Sequence, residues 1–89
     1  MRQAKFTASF KRDLKRQKKR GKSRVKIETA IELICIDGDL PVEYLPHNLS
    51  GIWKGYRECH IEPDWLLIYS VENDELATFY RTGTHSDLF

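Results

Sequence analysis

A chain of 89 residues has room for one small hydrophobic core, so a single domain over 1–89 is expected. Its hydrophobic share of 40% is too high for a disordered protein, and no stretch approaches the roughly 18 apolar residues of a membrane span. Residues 1–26 contain twelve Lys or Arg against one acid, and the remainder three against twelve, for net charges of +11 and −9. Such segregation favours a polyanionic partner, although a solvated, lysine-rich helix face is the commoner meaning of a charge run.

The N-terminal region predicts a short strand and a basic helix. Polar and apolar residues alternate over 5–10, as in a strand. A helix follows from a cap at Ser9, with a thin apolar stripe of Phe10 and Leu14, and Gly21 ends it. Seven cations on its other faces are candidate electrostatic contacts with RNA or the ribosome: Lys11, Arg12, Lys15, Arg16, Lys18, Lys19 and Arg20.

A second helix, more apolar than the first, is predicted between a cap at Ser23 and the stop at Gly38. One face of it carries Ile27, Ala30, Ile31 and Ile34. Two helices joined around Gly21 predict an antiparallel hairpin. Cys35 lies in this pattern and is expected to be a reduced, buried thiol, as is Cys59, although the sequence leaves a bridge between them open.

The second half of the chain predicts a loop and a sheet. Residues 38–51 are rich in helix- and strand-breaking residues, and three strands are predicted over 52–61, 65–72 and 76–81. Their short connections indicate an antiparallel meander, and Thr84 is a weak cap for a last helical turn. The expected fold is α+β, with the short strand and helical hairpin packed on one face of a small antiparallel sheet.

All three histidines lie in this second half, at positions 47, 60 and 85. A pair of imidazoles can act as base and acid at neutral pH, which is what RNA cleavage through the 2′-OH requires. Asp64 can orient an imidazole or act as a base, and Arg81 offers donors that match a phosphate. The predicted catalytic group is His47, His60, Asp64, Arg81 and His85.

Each of these residues has an ordinary explanation when it is taken alone: a surface histidine, a turn aspartate, or an arginine in a strand ion pair. The histidine spacing, thirteen and then twenty-five residues, does not match structural zinc sites, so no metal is expected. Nucleotide-binding glycine motifs are absent as well, so no cofactor is expected. Among the aromatic residues, Trp65 beside a turn and Phe89 at the end of the sequence are the candidates for stacking on unpaired bases.

Three blocks of sequence resemble the YafQ branch of the RelE/ParE superfamily of bacterial toxins. They run from His47 to His60 (HNLSGIWKGYRECH), over 62–69 (EPDWLLIY) and from Arg81 to Phe89 (RTGTHSDLF). A basic N-terminal helical hairpin also precedes these motifs in that family. The order, spacing and residue types agree in all three blocks.

The resemblance implies a ribosome-dependent, metal-independent endoribonuclease, an mRNA interferase of the bacterial cytoplasm that a cognate antitoxin inhibits. By position, His47, His60, Asp64 and His85 are the implied catalytic group, with Arg81 as the phosphate-stabilising cation. The implied substrate contacts are Trp65, Phe89, Lys54 and Arg57. The ribosome, messenger RNA and the antitoxin are the implied partners, with no membrane and no small-molecule cofactor. Which residue is the base and which the acid stays open.

Two other functions are compatible with the fold and the charge. One is a non-catalytic RNA- or ribosome-binding module, and the other is a toxin of the ParE type that poisons DNA gyrase. Neither function needs three histidines around an arginine, so the nuclease is the preferred hypothesis.

Overall fold

A computed structural model describes all 89 residues and contains three helices and one five-stranded sheet. In chain order the elements are β1 (Gln3–Phe6), α1 (Ala8–Lys19), α2 (Arg24–Asp37), β2 (His47–Asn48), β3 (Arg57–Glu62), β4 (Trp65–Val71), β5 (Leu76–Gly83) and α3 (His85–Leu88). Short 3-10 turns at Val42–Tyr44 and Gly51–Trp53 flank β2. None of the helices has the length and hydropathy of a membrane-spanning helix.

The strands are arranged in the order β1-β5-β4-β3-β2, and the sheet is mixed. The predicted meander of β3, β4 and β5 is confirmed as antiparallel. The predicted α+β fold is confirmed, but the sheet is not antiparallel throughout, because β1 pairs parallel to β5. Two helices and the other three strands separate β1 from β5 in sequence, so no tight hairpin forces this pair to run antiparallel.

The first helix begins earlier than the sequence predicted. The Thr7 hydroxyl accepts a hydrogen bond from the Phe10 backbone N–H at 3.0 Å and caps α1, so the expected cap at Ser9 and the expected strand over 5–10 were wrong in their bounds. The buried residues of α1 are Phe10, Asp13 and Gln17. This spacing is that of one helical face, which packs on β5 and leaves the basic residues outside.

The second helix has the predicted bounds. Ser23 occupies the cap position, although its side chain makes no capping hydrogen bond. At the other end Gly38 adopts a left-handed conformation with φ 74°, and its N–H donates to the Ile34 carbonyl at 2.8 Å. A glycine fits there because a side chain is strained at positive φ. Cys35 on this helix and Cys59 on β3 are both buried, as predicted, and both are free thiols in this structure.

Both faces of the central strand β4 are buried. One face packs against the helices in the main core: Phe10, Ile27, Ala30, Ile34, Cys35, Leu40, Cys59, Trp65, Leu67, Tyr69, Ala77 and Phe79. The opposite face carries a smaller cluster of Leu66, Ile68 and Leu88. Because α3 supplies Leu88, the end of the sequence folds back over this second face, which we call the outer face. The outer face carries the polar residues described below.

The strand predicted over 52–61 starts later, at Arg57. A 3-10 turn occupies Gly51–Trp53, and Gly55 has a φ of 96°, so an extended strand cannot begin before these positions. The final helical turn is confirmed. Thr84 caps α3 in a reciprocal arrangement with Asp87, each side chain accepting from the other residue's backbone N–H, at 3.1 and 3.0 Å.

Candidate active site

The three histidines form a continuous row on the outer face, which we call the imidazole row. The ring centroids of His47 and His60 lie 6.3 Å apart, and those of His60 and His85 lie 5.9 Å apart. The sheet register explains this arrangement. His47 on β2 pairs with a residue two positions before His60, and His60 lies opposite Leu66, which in turn lies opposite Gly83, just before α3. Residues 38 positions apart in sequence therefore become neighbours.

Asp64 orients His85. Its Oδ1 accepts the His85 backbone N–H at 2.9 Å and the imidazole Nδ1 at 2.6 Å. The backbone hydrogen bond, followed by the imidazole, lowers the pKa of the Asp64 carboxyl below its ordinary value. An ionised carboxylate can only accept, so the proton lies on Nδ1 and the Nε2 atom of a neutral His85 remains available. More than half of the His85 side chain is exposed, so a substrate can reach this atom.

Glu58 lies beneath the row and is not among the residues predicted from the sequence. It is 5% exposed, and its Oε1 lies 3.4 Å from His47 Nε2 and 4.0 Å from His60 Nε2. The other nitrogen of each ring lies near a carbonyl: His47 Nδ1 is 2.9 Å from Leu45 O, and His60 Nδ1 is 3.3 Å from Pro63 O. Glu58 and His60 are two positions apart in a strand and therefore share a face, which is the signal that the sequence offers.

Arg81 does not stand free but is paired with Asp13 of α1. Its Nε donates to Asp13 Oδ2 at 2.6 Å and its Nη2 donates to Oδ1 at 3.2 Å, while the Thr82 N–H also donates to Oδ2 at 3.2 Å. This carboxylate raises the pKa of Arg81 above its ordinary value. Nη1 makes no hydrogen bond, so the far edge of the guanidinium remains open to an anion.

A β-bulge explains how a strand arginine reaches a helix. Ile68 pairs with Arg81 but Tyr69 pairs with Phe79, so Tyr80 is an extra residue in β5. A bulge bends and twists its strand locally. Beyond Phe6 the strand β1 has ended, and α1 lies along the edge of β5 that β1 leaves uncovered.

The prediction that Trp65 stacks on a base was wrong. The indole is 1% exposed, and its Nε1 donates to Thr82 Oγ1 at 2.9 Å inside the main core. As the first residue of β4, Trp65 points to the helix side, like Leu67 and Tyr69. Phe89, in contrast, is 61% exposed.

The aromatic residues of the outer face lie in one cluster. The ring of Phe89 meets Trp53 edge-on at 6.4 Å, and Trp53 meets Tyr56 at 5.4 Å. Tyr56 in turn meets Tyr80 edge-on at 4.6 Å. Trp53, Tyr56 and Tyr80 pack against the apolar cluster that contains Leu88, so α3 connects the aromatic surface to the imidazole row.

Of the other two predicted substrate contacts, Arg57 is not beside the row. It pairs with Tyr69 and therefore faces the helix side, where its guanidinium donates to Asn48 Oδ1 at 2.7 Å and to Asp39 at 3.4 Å. Adjacent strand residues point to opposite faces, so Arg57 lies across the sheet from the histidines, and its contact with substrate stays a prediction. Lys54 is exposed after a 3-10 turn and makes no ion pair, and its contact with RNA stays a prediction.

The seven predicted cations of the basic segment are all exposed. Arg20 forms a bidentate pair with Asp87 of α3, at 2.6 and 3.1 Å, and Arg16 lies 3.7 Å from the same carboxylate. The Arg20 guanidinium, followed by the Thr84 N–H, holds the pKa of Asp87 well below its usual range. The remaining five cations make no ion pair. No group of three His, Cys, Asp or Glu side chains in residues 1–89 is arranged to hold a metal ion.

The fold places the chain among small bacterial toxins. It superposes on a metal-bound toxin from Helicobacter pylori with a TM-score of 0.91 and 32% identity, covering all of both chains. It superposes on YafQ in the Escherichia coli DinJ-YafQ complex with a TM-score of 0.89 and 41% identity, covering 100% of this chain and 99% of that one.

The family model described as the bacterial toxin of type II toxin-antitoxin systems, YafQ, matches residues 2–89, and the chain belongs to this family. The resemblance found in the sequence is thereby confirmed. The mRNA interferase toxin YafQ of E. coli K12 is 58% identical over 50 residues, which are 56% of this chain and 53% of that protein. The alignment therefore spans about half the length of this curated relative.

Proposed function

We propose that this chain is a ribosome-dependent, metal-independent endoribonuclease that cuts messenger RNA in the bacterial cytoplasm and so inhibits translation. The observation that carries the proposal is the Asp64–His85 hydrogen bond within the imidazole row, because it leaves one ring nitrogen oriented and accessible for proton transfer. The name of the E. coli relative, an mRNA interferase, supports the same activity.

In the proposed reaction, a base removes the proton of the 2′-OH and the 2′-oxygen attacks the adjacent phosphorus. The bond from phosphorus to the 5′-oxygen breaks, an acid protonates the leaving oxygen, and a 2′,3′-cyclic phosphate remains. We assign proton transfer to His85 with His60, whose rings are neighbours, and either ring can act first. The open edge of Arg81 stabilises the negative charge on the non-bridging oxygens of the phosphate, and Phe89 provides a stacking surface for a base.

The proposed partners are the ribosome, messenger RNA and a cognate antitoxin. The E. coli relative forms a complex with DinJ, and for this chain we propose an inhibitor with an acidic segment that binds the basic surface. The alternatives are a non-catalytic RNA- or ribosome-binding module and a gyrase poison. Neither needs imidazoles held by two carboxylates, so Asp64 and Glu58 favour the nuclease.

The direct test replaces His85 and maps messenger RNA ends in a translating system. Wild type is expected to create new 5′ ends within coding sequences, and His85→Ala is expected to lower the rate at least about 100-fold, as for loss of a general acid or base. Ser86→Ala is the matched control, because Ser86 is the exposed neighbour on α3 and makes no hydrogen bond. Intact message with wild-type toxin bound to the ribosomes would indicate the binding module. Loss of the supercoiling activity of DNA gyrase would indicate the gyrase poison.

Removal of metal provides a second test. Toxin that has been treated with excess EDTA and then freed of the chelator is expected to cut message on intact, magnesium-containing ribosomes at the untreated rate, because the proposed mechanism uses side chains alone. The measurement is the cleavage rate before and after treatment. An activity that disappears and returns with added zinc contradicts the metal-independent mechanism.

A further inference from the structure

A polar cavity lies between α1 and β5, beside the outer face that carries the imidazole row. It has a volume of about 220 Å³ and is lined by Ser9, Arg12, Asp13, Arg16 and Arg81, with no hydrophobic residue. Three guanidinium groups and one carboxylate leave it with a formal charge of +2. Like charges brought together in this way repel one another unless an anion joins them.

Several hydrogen-bond donors of the guanidinium groups in this cavity have no acceptor within the protein. The carboxylate of Asp13 is already engaged by Arg81 and by the Thr82 N–H, and three N–H bonds of the Arg81 guanidinium stay open. Arg12 makes only a 3.3 Å hydrogen bond to Ser9 Oγ. Arg16 is half exposed and lies 3.7 Å from an Asp87 carboxylate that Arg20 already binds at 2.6 Å.

The register places this cavity near the imidazole row. One cross-strand line of paired residues runs through Arg81, Ile68 and Glu58. The line two residues further along the strands runs through Gly83, Leu66 and His60. With strands ~4.8 Å apart and a rise of ~3.3 Å per residue, the Cα atoms of Arg81 and His60 are separated by about 12 Å. A short run of nucleotides spans that distance.

We propose that Arg12, Arg16 and Arg81 form a phosphate cradle that binds a backbone phosphodiester of the messenger RNA next to the one that is cut. The proposal rests on the proposed function and deepens it. Arg81 has enough open N–H bonds to contact both phosphates, and Asp13 holds it in place for this role. Guanidinium groups suit phosphate because their planar forks donate two parallel hydrogen bonds.

Binding of inorganic phosphate tests the cradle without any cleavage. In the NMR spectrum of the full chain, phosphate is expected to shift the side-chain Nε–H signals of Arg12, Arg16 and Arg81. The double variant Arg12→Gln, Arg16→Gln is expected to lose the shift at Arg81. The charge-matched control Lys15→Gln, Lys19→Gln removes two exposed, unpaired cations of the same helix and is expected to keep it. Equal loss in both variants would reduce the site to general charge and overturn the proposal.

A neutral linkage in the message identifies which phosphate is bound. A single methylphosphonate, moved along the nucleotides that flank the cut, is expected at one position to weaken cleavage by wild type at limiting toxin about tenfold. The Arg12, Arg16 double variant is expected to be insensitive to the same change, whereas the lysine control stays sensitive. The contrary result is that no position of the methylphosphonate weakens cleavage, while the arginine variant lowers ribosome affinity more than the lysine control does. That result would assign the cradle to ribosomal RNA and overturn the proposal.

The two failures can be told apart. If wild type leaves an unmodified message intact on ribosomes, the proposed function fails while the phosphate titration still reports on the cradle. If wild type cuts normally and phosphate shifts none of the three arginine signals, the cradle fails and the nuclease remains.

Discussion

Trp65 and Thr82 form a buried chain of hydrogen bonds that joins β4 to β5. The indole Nε1 donates to Thr82 Oγ1 at 2.9 Å, and this hydroxyl donates to the Leu66 carbonyl at 2.7 Å. Thr82 is fully buried and Trp65 nearly so, so neither partner can turn to water. The role of Trp65 is thus to fix the two strands that carry Arg81 and lead into His85.

We expect Thr82→Val to lower the free energy of unfolding by about 1–3 kcal/mol, because the Trp65 N–H is left buried without an acceptor. Urea unfolding followed by tryptophan fluorescence measures the change. Thr78→Val is the control on the same strand, since Thr78 is 4% exposed but its hydroxyl makes no hydrogen bond. Equal destabilisation in the two variants would show that the Trp65 hydrogen bond contributes nothing.

At the scale of residues, the sequence predicted chemical types better than burial. The three histidines and Asp64 were found because few side chains transfer protons at neutral pH, and the structure brings these four together. Glu58 and Asp13 were missed, because an acid is usually solvated and only tertiary packing shows that these two are covered. Trp65 was misassigned for the converse reason: its place beside a turn suggested exposure.

At the scale of elements, α3 depends on its contacts. Four residues are too few for a stable isolated helix. Leu88 anchors it to the outer face, while Asp87 closes the capping box with Thr84 and pairs with Arg20. Because α3 carries His85 at its first position and Phe89 follows its last, these contacts set the geometry of the proposed site.

The Asp87 contacts predict a pH-dependent stability. The pKa of Asp87 is lower in the folded chain than its ordinary 3.8, so its ionised form stabilises the fold above that value. This contribution is lost as the pH falls through 3.8 towards the folded-state pKa. Asp87→Asn is therefore expected to lower the melting temperature by about 4–8 °C at neutral pH, which corresponds to the loss of a cap, and by progressively less in acid.

Thermal unfolding from pH 2 to pH 7 measures this difference. Glu32→Gln is the control, because Glu32 is exposed on α2 and forms no ion pair, and its melting temperature is expected to follow that of wild type. A constant gap between Asp87→Asn and wild type at all pH values would contradict an ionic role for Asp87.

Element boundaries were predicted well where one residue decides them and poorly where two compete. Gly38 ends α2 as expected, because it alone there adopts positive φ without strain. Thr7 and Ser9 are both suitable caps, and the chain uses Thr7 because its hydroxyl also donates to the Tyr80 carbonyl at 2.9 Å. The parallel pairing of β1 with β5 depends on contacts between distant segments, which local patterns do not encode.

At the scale of the whole molecule, half of the cations in residues 1–26 form ion pairs and the other half do not. Six of its twelve cations lie within ion pairs to acids: Arg2, Arg16, Arg20, Lys22, Arg24 and Lys26. The other six make no ion pair: Lys5, Lys11, Arg12, Lys15, Lys18 and Lys19. Five of these six are on α1, so this helix provides most of the free positive surface.

This distribution predicts how ribosome binding responds to salt. Each phosphate neutralised by a cation releases counterions. A plot of the logarithm of the association constant against the logarithm of the salt concentration therefore has a slope of about −0.7 to −0.9 per contact. Four contacts from the unpaired lysines of α1 give an expected slope of about −3. The triple variant Lys11→Gln, Lys15→Gln, Lys19→Gln is expected to reduce the slope by about 2, measured as affinity for intact ribosomes at several potassium concentrations.

The paired cations provide the control for that measurement. Lys22 and Lys26 both contact Glu62, at 2.7 and 3.0 Å, so this carboxylate already offsets half of their combined charge within the fold. Lys22→Gln, Lys26→Gln is therefore expected to change the salt slope much less than removal of two cations of α1. If the slopes of all variants coincide with wild type, binding does not depend on the basic helix, and the proposed attraction of this surface to ribosomal RNA is wrong.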